Sequence, residues 1–174
     1  MYYGIYRTKT YIAGDWTGDK DAIAQLYKWK NSNYWSLDFI DAHELTQAND
    51  GSLNCSIKAS LKKRMDVSKK FVLVVGENTS SLRAGSCVYC NSYNGYSHYC
   101  ARGYSVDYKS YVDYECQKAV EAGIEIVVLY NSTRVNRNKC PAEVRERGTH
   151  VPMIMIKNGE YYWDYQTVKN ALEG

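Results

Sequence analysis

The sequence has no run of about 18 apolar residues, the minimum for a membrane-spanning helix. Its first residues also lack the basic start and apolar run of a secretory signal, so we expect a cytoplasmic protein with no membrane partner. Linkers, internal repeats and low-complexity tracts are absent, and one domain over residues 1–174 accounts for the chain. With 45% apolar and 24% charged residues, the composition predicts a soluble globular domain and excludes a disordered chain or a coiled coil.

The sequence has little excess charge. Its net charge of +3 over 174 residues is too small to indicate a nucleic-acid partner, and a solvated surface explains it. Tyrosine, in contrast, is abundant, with 18 residues. Its flat apolar face and polar rim suit stacking on bases or contacts with proteins. The excess alone decides nothing, because many tyrosines also fit half-buried positions in sheets and helices.

Strand-like and helix-like blocks alternate along the chain, a pattern typical of α/β proteins with a mostly parallel sheet. The order predicts a flavodoxin-like fold with a central five-stranded sheet flanked by helices and a long loop rich in Cys and Tyr at residues 77–106. Ligands of such folds bind beyond the carboxyl ends of the strands. The predicted strands are residues 9–13, 35–40, 71–76, 124–130 and 151–156, and the last two helices are residues 109–122 and 165–172.

A further helix is predicted after the turn at residues 49–51, with Ser52 or Asn54 as its cap. Its apolar residues face inward at helical spacing, which places the basic triplet Lys62, Lys63 and Arg64 on the solvent side.

The helix predicted at residues 109–122 carries an aromatic residue, Tyr111, four positions before Glu115. This block resembles the catalytic helix of TIR domains, in which the aromatic residue is usually Trp. The strand order, the polar loop after the second strand and the chain length are also similar to that family. Within it, the chain most resembles the bacterial TIR-like proteins of the Thoeris antiphage system, the ThsB type. The loop lacks the Pro-Gly that is common in receptor TIR domains, a departure that bears more on adaptor-style signalling than on the fold.

The resemblance implies that Glu115 is catalytic. Catalytic TIR domains cleave the nicotinamide–ribose bond of NAD, so NAD or a related nucleotide is the implied substrate. The implied product is an ADP-ribose-type molecule, linear or cyclic, that reaches an effector protein by diffusion during antiphage defence. TIR enzymes often complete one site from two chains, which makes a homo-oligomer a candidate assembly.

Further residues are predicted to contact the substrate because they lie at strand ends or on the helix of Glu115. For Gly14, Asp15 and Trp16, the alternative interpretation is a turn with a packed Trp. For His43, the alternative is a structural histidine. The predicted contacts are Gly14, Asp15, Trp16, Asp41, His43, Glu77 and Tyr111.

Other interpretations of the chain remain open. From the residues alone, Glu115 could equally be an exposed helix glutamate paired with Lys118 or Lys109. A non-catalytic module that binds a nucleotide or a protein is the second hypothesis for the whole chain, based on the tyrosine excess and the missing Pro-Gly. A flavodoxin-like electron carrier is disfavoured because no phosphate-cradling loop follows the first strand. A receiver domain is disfavoured because residues 76–78 lack the expected Asp.

Three cysteines and one histidine lie within 14 positions of the long loop. Such a set can form a tetrahedral zinc site and would order a loop that has little core of its own. Two alternatives stay open, namely free thiols in a loop whose tyrosines pack on the sheet, and redox pairing of the first two cysteines. The candidate zinc ligands are Cys87, Cys90, His98 and Cys100.

Overall fold

The computed structural model describes residues 6–42 and 53–174. A four-stranded sheet is flanked by helices, so the predicted α/β class is confirmed. The elements in chain order are β1 (Lys9–Ala13), α1 (Lys20–Lys30), α2 (Asn54–Asp66), β2 (Ser68–Val75), β3 (Tyr93–Asn94), β4 (Tyr99–Cys100), α3 (Tyr111–Ala122), β5 (Glu125–Tyr130), β6 (Thr149–Pro152), β7 (Ile154–Lys157), β8 (Glu160–Trp163) and α4 (Tyr165–Glu173).

Four parallel strands form the central sheet in the order β1-β2-β5-β6. The apolar run of β2 supplies both faces of this sheet, because successive side chains of a strand point in opposite directions. Phe71 and Leu73 pack on the side of α2 and α3, whereas Val72 and Val74 pack on the side of α1 and α4. Helices therefore cover both faces, as a buried parallel sheet requires.

The second predicted strand, residues 35–40, does not form, so the central sheet in the described part of the chain has four strands and not the predicted five. This segment lies beside β1, where Thr10 donates its backbone N–H to Ile40 at 2.6 Å and one parallel bridge joins Thr10 to Asp41. The backbone N–H of Leu37 instead donates to the carbonyl of Trp29 at 3.2 Å. A strand ladder is missing here because hydrogen bonds to α1 compete with pairing to β1.

The chain between β6 and α4 forms a hairpin. Asn158 and Gly159 both have positive φ, 53° and 79°, which is the conformation of a two-residue type I′ turn. The predicted strand at residues 151–156 is divided at Met153, with its first part in β6 and its second part in β7. A second short hairpin, formed by β3 and β4, lies within the long loop.

The ends of α3 follow the sequence signals closely. Ser110 caps its first turn by accepting the backbone N–H of Asp113 at 3.1 Å, and Gly123 ends it in the left-handed conformation. At α2 the outcome differs, because Leu53 occupies the cap position without a side-chain bond. Ser52 and the predicted turn at residues 49–51 lie outside the described residues. None of the helices in the described part of the chain has the length and apolar character needed to cross a bilayer.

Two glycines with positive φ provide a matched test of the sheet geometry. A Cβ added at Gly148, just before β6, would lie 2.1 Å from the carbonyl oxygen of Ile126 in β5, whereas one added at Gly123 would meet nothing within 4 Å. We expect Gly123→Ala to lower the free energy of unfolding by about 1 kcal/mol, the cost of the left-handed backbone alone. Gly148→Ala should lower it by about 3 kcal/mol, because β6 must also move. Urea unfolding of both variants measures the difference, and equal losses would contradict this packing of β6 on β5.

Candidate active site

A cavity of about 310 Å³ opens between α2 and α3 at the carboxyl end of β1. Its walls come from four parts of the fold. They are Gly14, Asp15 and Trp16 after β1, Ile57, Leu61 and Arg64 on α2, Leu82 and Ala84 in the loop after β2, and Tyr111, Val112 and Glu115 on α3. The position agrees with the general rule that ligands of parallel sheets bind beyond the carboxyl ends of strands.

Glu115 lies in the wall of this cavity and is 7% exposed. Its carboxylate accepts a hydrogen bond from the hydroxyl of Tyr11, a fully buried residue of β1. The interpretation of Glu115 as an exposed glutamate paired with Lys118 is wrong, because Lys118 forms its ion pair with Glu121 at 2.8 Å. The carboxylate is therefore held inside the fold.

Burial dominates the ionisation of Glu115. Loss of hydration raises its pKa from 4.5 to about 7, although the hydrogen bond from Tyr11 and the positive charge of Arg64 act in the opposite direction. Both protonation states are therefore populated near neutral pH. A carboxylate in such a poorly hydrated cavity interacts with a nearby positive charge more strongly than one in water.

Arg64 corrects the sequence interpretation of α2. It was predicted to face solvent with Lys62 and Lys63, but it is 7% exposed and lines the cavity, while the two lysines are exposed. The signal for this was present, because Ile57, Leu61 and Arg64 are spaced by four and three residues and so share one helix face. The prediction grouped Arg64 with the two lysines by charge, although its position places it on the helix face of Ile57 and Leu61.

Tyr111 is fixed at the cavity by contacts on both its backbone and its side chain. Its hydroxyl donates to Asn54 Oδ1 at 2.9 Å, and its backbone N–H donates to the carbonyl of Ala84 at 2.8 Å. Asn54 in turn donates its amide to the carbonyl of Ser86 at 3.1 Å. Asn54, predicted as a helix cap, thus connects α2 to the long loop and orients Tyr111.

The turn after β1 is structured by its own carboxylate. Asp15 accepts the backbone N–H groups of Thr17 at 3.0 Å and Gly18 at 2.9 Å. Trp16 is 46% exposed and packs against the ring of Tyr27, with ring centroids 6.3 Å apart. The predicted contacts Gly14, Asp15, Trp16 and Tyr111 are thus brought together with Glu115 in one cavity.

Two of the remaining predicted contacts lie elsewhere. Asp41 is buried beside β1, accepts the hydroxyl of Tyr27 at 2.6 Å and does not line this cavity. Glu77 forms an ion pair with Lys139 and lines a separate cavity of about 170 Å³ that shares Asp15 with the first. His43 lies outside the described residues.

The predicted zinc site is not formed. Within residues 6–42 and 53–174, no three His, Cys, Asp or Glu side chains are grouped so that they could hold a metal ion. The residues concerned, Cys87, Cys90, His98 and Cys100, have other surroundings, and their thiols are free. Cys87 Sγ accepts the backbone N–H of Asp107 at 3.2 Å, and His98 Nδ1 is hydrogen-bonded to the hydroxyl of Tyr93 at 2.9 Å.

Hydrogen bonds rather than metal ligands order this loop. The hydroxyls of Tyr93 and Tyr108 are 3.2 Å apart, and the backbone N–H of Ala101 donates to Ser92 at 2.7 Å. At the base of the loop, the buried ammonium of Lys58 forms an ion pair with Asp107 at 2.9 Å. These contacts order the loop, a role for which zinc was one of the alternatives left open by the sequence.

The burial of Glu115 predicts an unusual dependence of stability on pH. Because its folded pKa is raised from 4.5 to about 7, the stability that its protonation provides is complete below pH 4.5 and is lost as the pH rises to about 7. This shift corresponds to about 3 kcal/mol. Relative to Glu115→Gln, the free energy of unfolding of the wild type should therefore fall by about 3 kcal/mol between pH 4.5 and about pH 8, as measured by urea unfolding.

Glu121→Gln is the matched control on the same helix. Glu121 is exposed, and its hydrogen bond from Lys118 lowers its pKa, so any pH effect there has the opposite sign. A difference between the wild type and Glu115→Gln that stays constant with pH would contradict the buried, raised-pKa carboxylate.

Comparison with known proteins finds a family similarity in the first part of this architecture. Residues 11–84 match the family described as Thoeris protein ThsB, TIR-like domain. The match covers less than half of the 174 residues and includes the cavity residues Gly14, Trp16 and Arg64, while Glu115 lies beyond it. Among curated proteins, no match was found. Over residues 11–84, the chain is therefore similar to the TIR-like domain of the Thoeris ThsB family.

Proposed function

We propose that the protein cleaves the bond between nicotinamide and ribose in NAD, with Glu115 as the catalytic carboxylate. The observation that carries this proposal is a buried glutamate whose carboxylate is held by Tyr11 in the wall of a ligand-sized cavity. The ThsB family match supports the same reaction class through its TIR-like fold.

The chemistry needs one carboxylate rather than two. Ordinary glycosidases use a second carboxyl group to protonate the leaving oxygen. In NAD, the C1′–N bond breaks with its electron pair moving to the cationic pyridinium, so nicotinamide leaves as a neutral molecule without a proton donor. The ribose then carries an oxocarbenium-like positive charge, which an ionised Glu115 stabilises. This role requires the deprotonated form of Glu115.

The cavity suits the reacting part of the dinucleotide. At about 310 Å³ it is at the small end of ligand pockets, so it receives the nicotinamide riboside while the remainder of NAD extends outside. The rings of Trp16 and Tyr111 supply aromatic faces for stacking on the nicotinamide ring.

Two products follow from the same intermediate. Water attacks C1′ and loses a proton to give ADP-ribose, or an adenine or ribose atom of the same molecule attacks to give a cyclic isomer. Exclusion of water favours the cyclic product, because the internal nucleophile has a high effective concentration. In a Thoeris system the product would serve as a diffusible signal to an effector protein in antiphage defence, and a homo-oligomer would complete the site where two chains share it.

A non-catalytic binding module is the second candidate function. Several tyrosines of the long loop and its flanks are more than half exposed, which provides an aromatic surface for a protein or nucleotide. Examples are Tyr89, Tyr96, Tyr99 and Tyr104. A rise in melting temperature with saturating NAD, without release of nicotinamide at any protein concentration, would favour this function.

The catalytic role of Glu115 predicts a large and specific loss of activity on its substitution. Glu115→Gln removes the charge but retains the shape, so release of nicotinamide from NAD should fall by about 10²–10³-fold, the cost of removing one transition-state stabiliser. Glu121→Gln, on the exposed face of the same helix, should retain wild-type activity. Chromatographic quantification of nicotinamide over a range of protein concentrations measures both. Equal turnover by the wild type and Glu115→Gln would exclude the assigned role.

A further inference from the structure

Three buried polar side chains from three separate elements converge at the candidate site. Tyr11 comes from β1, Arg64 from α2 and Glu115 from α3, and each is less than 10% exposed. Arg64 and Glu115 line the same cavity, and Tyr11 is hydrogen-bonded to Glu115. Burying two charged groups costs free energy, so their placement in one cavity calls for a physical reason.

The surroundings of Glu115 explain why a cation is needed there. The neighbouring side chains on α3 and α2 are largely apolar, including Val112 and Leu61, and such surroundings favour the protonated acid. The hydrogen bond from Tyr11 favours the carboxylate but brings no charge. Among the cavity-lining residues that the structure describes, Arg64 is the one cationic side chain.

We propose that Arg64 is a positioning residue whose positive charge favours the carboxylate form of Glu115 within the cavity. The inference deepens the proposed function, since the catalytic consequence rests on that function, whereas the effect of Arg64 on the ionisation of Glu115 can be measured without it. Arg64 does not contact the reacting atoms in this account. It acts through Glu115.

Other groups that face Glu115 do not supply this charge. The thiol of Cys116 is buried beside it on α3, and burial together with the nearby Glu115 charge raises the pKa of that thiol, so it stays neutral. Burial likewise raises the pKa of Tyr11 well above 10.0, so its phenol remains protonated as the hydrogen-bond donor. The remaining charged residue of the described cavity wall, Asp15, carries a carboxyl group and supplies no positive charge. A stabilising positive charge in the described cavity wall therefore comes from α2.

The test is the titration of the Glu115 carboxyl carbon in protein labelled with ¹³C at glutamate side chains. The signal is assigned by its absence from Glu115→Gln. In Arg64→Gln the titration midpoint should rise by about one pH unit or more, because a nearby opposite charge lowers a carboxyl pKa by that amount. Arg64→Lys keeps the charge and should hold the midpoint near that of the wild type. Lys63→Gln removes one charge from the exposed face of the same helix and should leave it unchanged.

The kinetic counterpart is the pH profile of nicotinamide release. In Arg64→Gln, a rise of one pH unit in the Glu115 midpoint lowers the ionised fraction of Glu115 about tenfold at pH values below the midpoint, and kcat/KM should fall by the same factor. Activity should return at high pH, where Glu115 is ionised. A purely structural role of Arg64 would instead lower activity at every pH. If activity is absent from all proteins while the ¹³C midpoint still moves, the proposed function fails and the role of Arg64 stands.

A second neutral substitution protects the test against loss of folding. Arg64→Met removes the same charge with an apolar side chain of similar length, and either neutral variant that retains the wild-type circular dichroism spectrum decides the question. An unchanged Glu115 midpoint in a folded Arg64→Gln or Arg64→Met protein would overturn the proposal.

Discussion

The burial of the Glu115 carboxylate is the constraint on which the rest of the site depends. Removing a carboxylate from water costs free energy, and the fold compensates with a hydrogen bond from Tyr11 of β1 and the charge of Arg64 of α2. Arg64 lies in the same cavity wall as Glu115 because α2 and α3 pack together, and Tyr11 lies on the sheet face that these helices cover. The packing of that face therefore sets the ionisation of the one residue to which we assign catalysis.

The architecture also determines where this carboxylate meets a ligand. Parallel strands end at one edge of the sheet, and the turn after β1 places Trp16 beside the first helical turns of α3. Asp15 organises that turn through its backbone contacts, while Asn54 fixes Tyr111 on the other side. The cavity is thus assembled from segments that are distant in sequence. A change in the α2–α3 packing would alter its shape and the ionisation of Glu115 together.

Much of the scaffold could be predicted from local patterns, because they reflect local causes. The bounds of β1, the capping of α3 and the turn at Asn158 depend on neighbouring residues alone. Sequence reasoning failed where a distant contact decides the outcome. Within residues 35–40, Leu37 donates to α1 and Asp38 donates to Glu173 of α4 instead of pairing as a strand, and the cysteine loop, for which zinc and tyrosine packing were both open, is ordered by tyrosine contacts. Arg64 was predicted on the solvent side of α2 from its charge, whereas its helical spacing from Ile57 and Leu61 indicates the cavity side.

The account joins a structural claim, that Glu115 is buried with a raised pKa, to a chemical one, that its ionised form carries out the reaction. The measurement that tests both at once is the pH dependence of kcat/KM for nicotinamide release by the wild-type protein. The account predicts that kcat/KM rises with pH, with a midpoint at about 7 that coincides with the titration of the Glu115 carboxyl group. A profile that is flat between about pH 5 and pH 9, or that falls over this range, would contradict it.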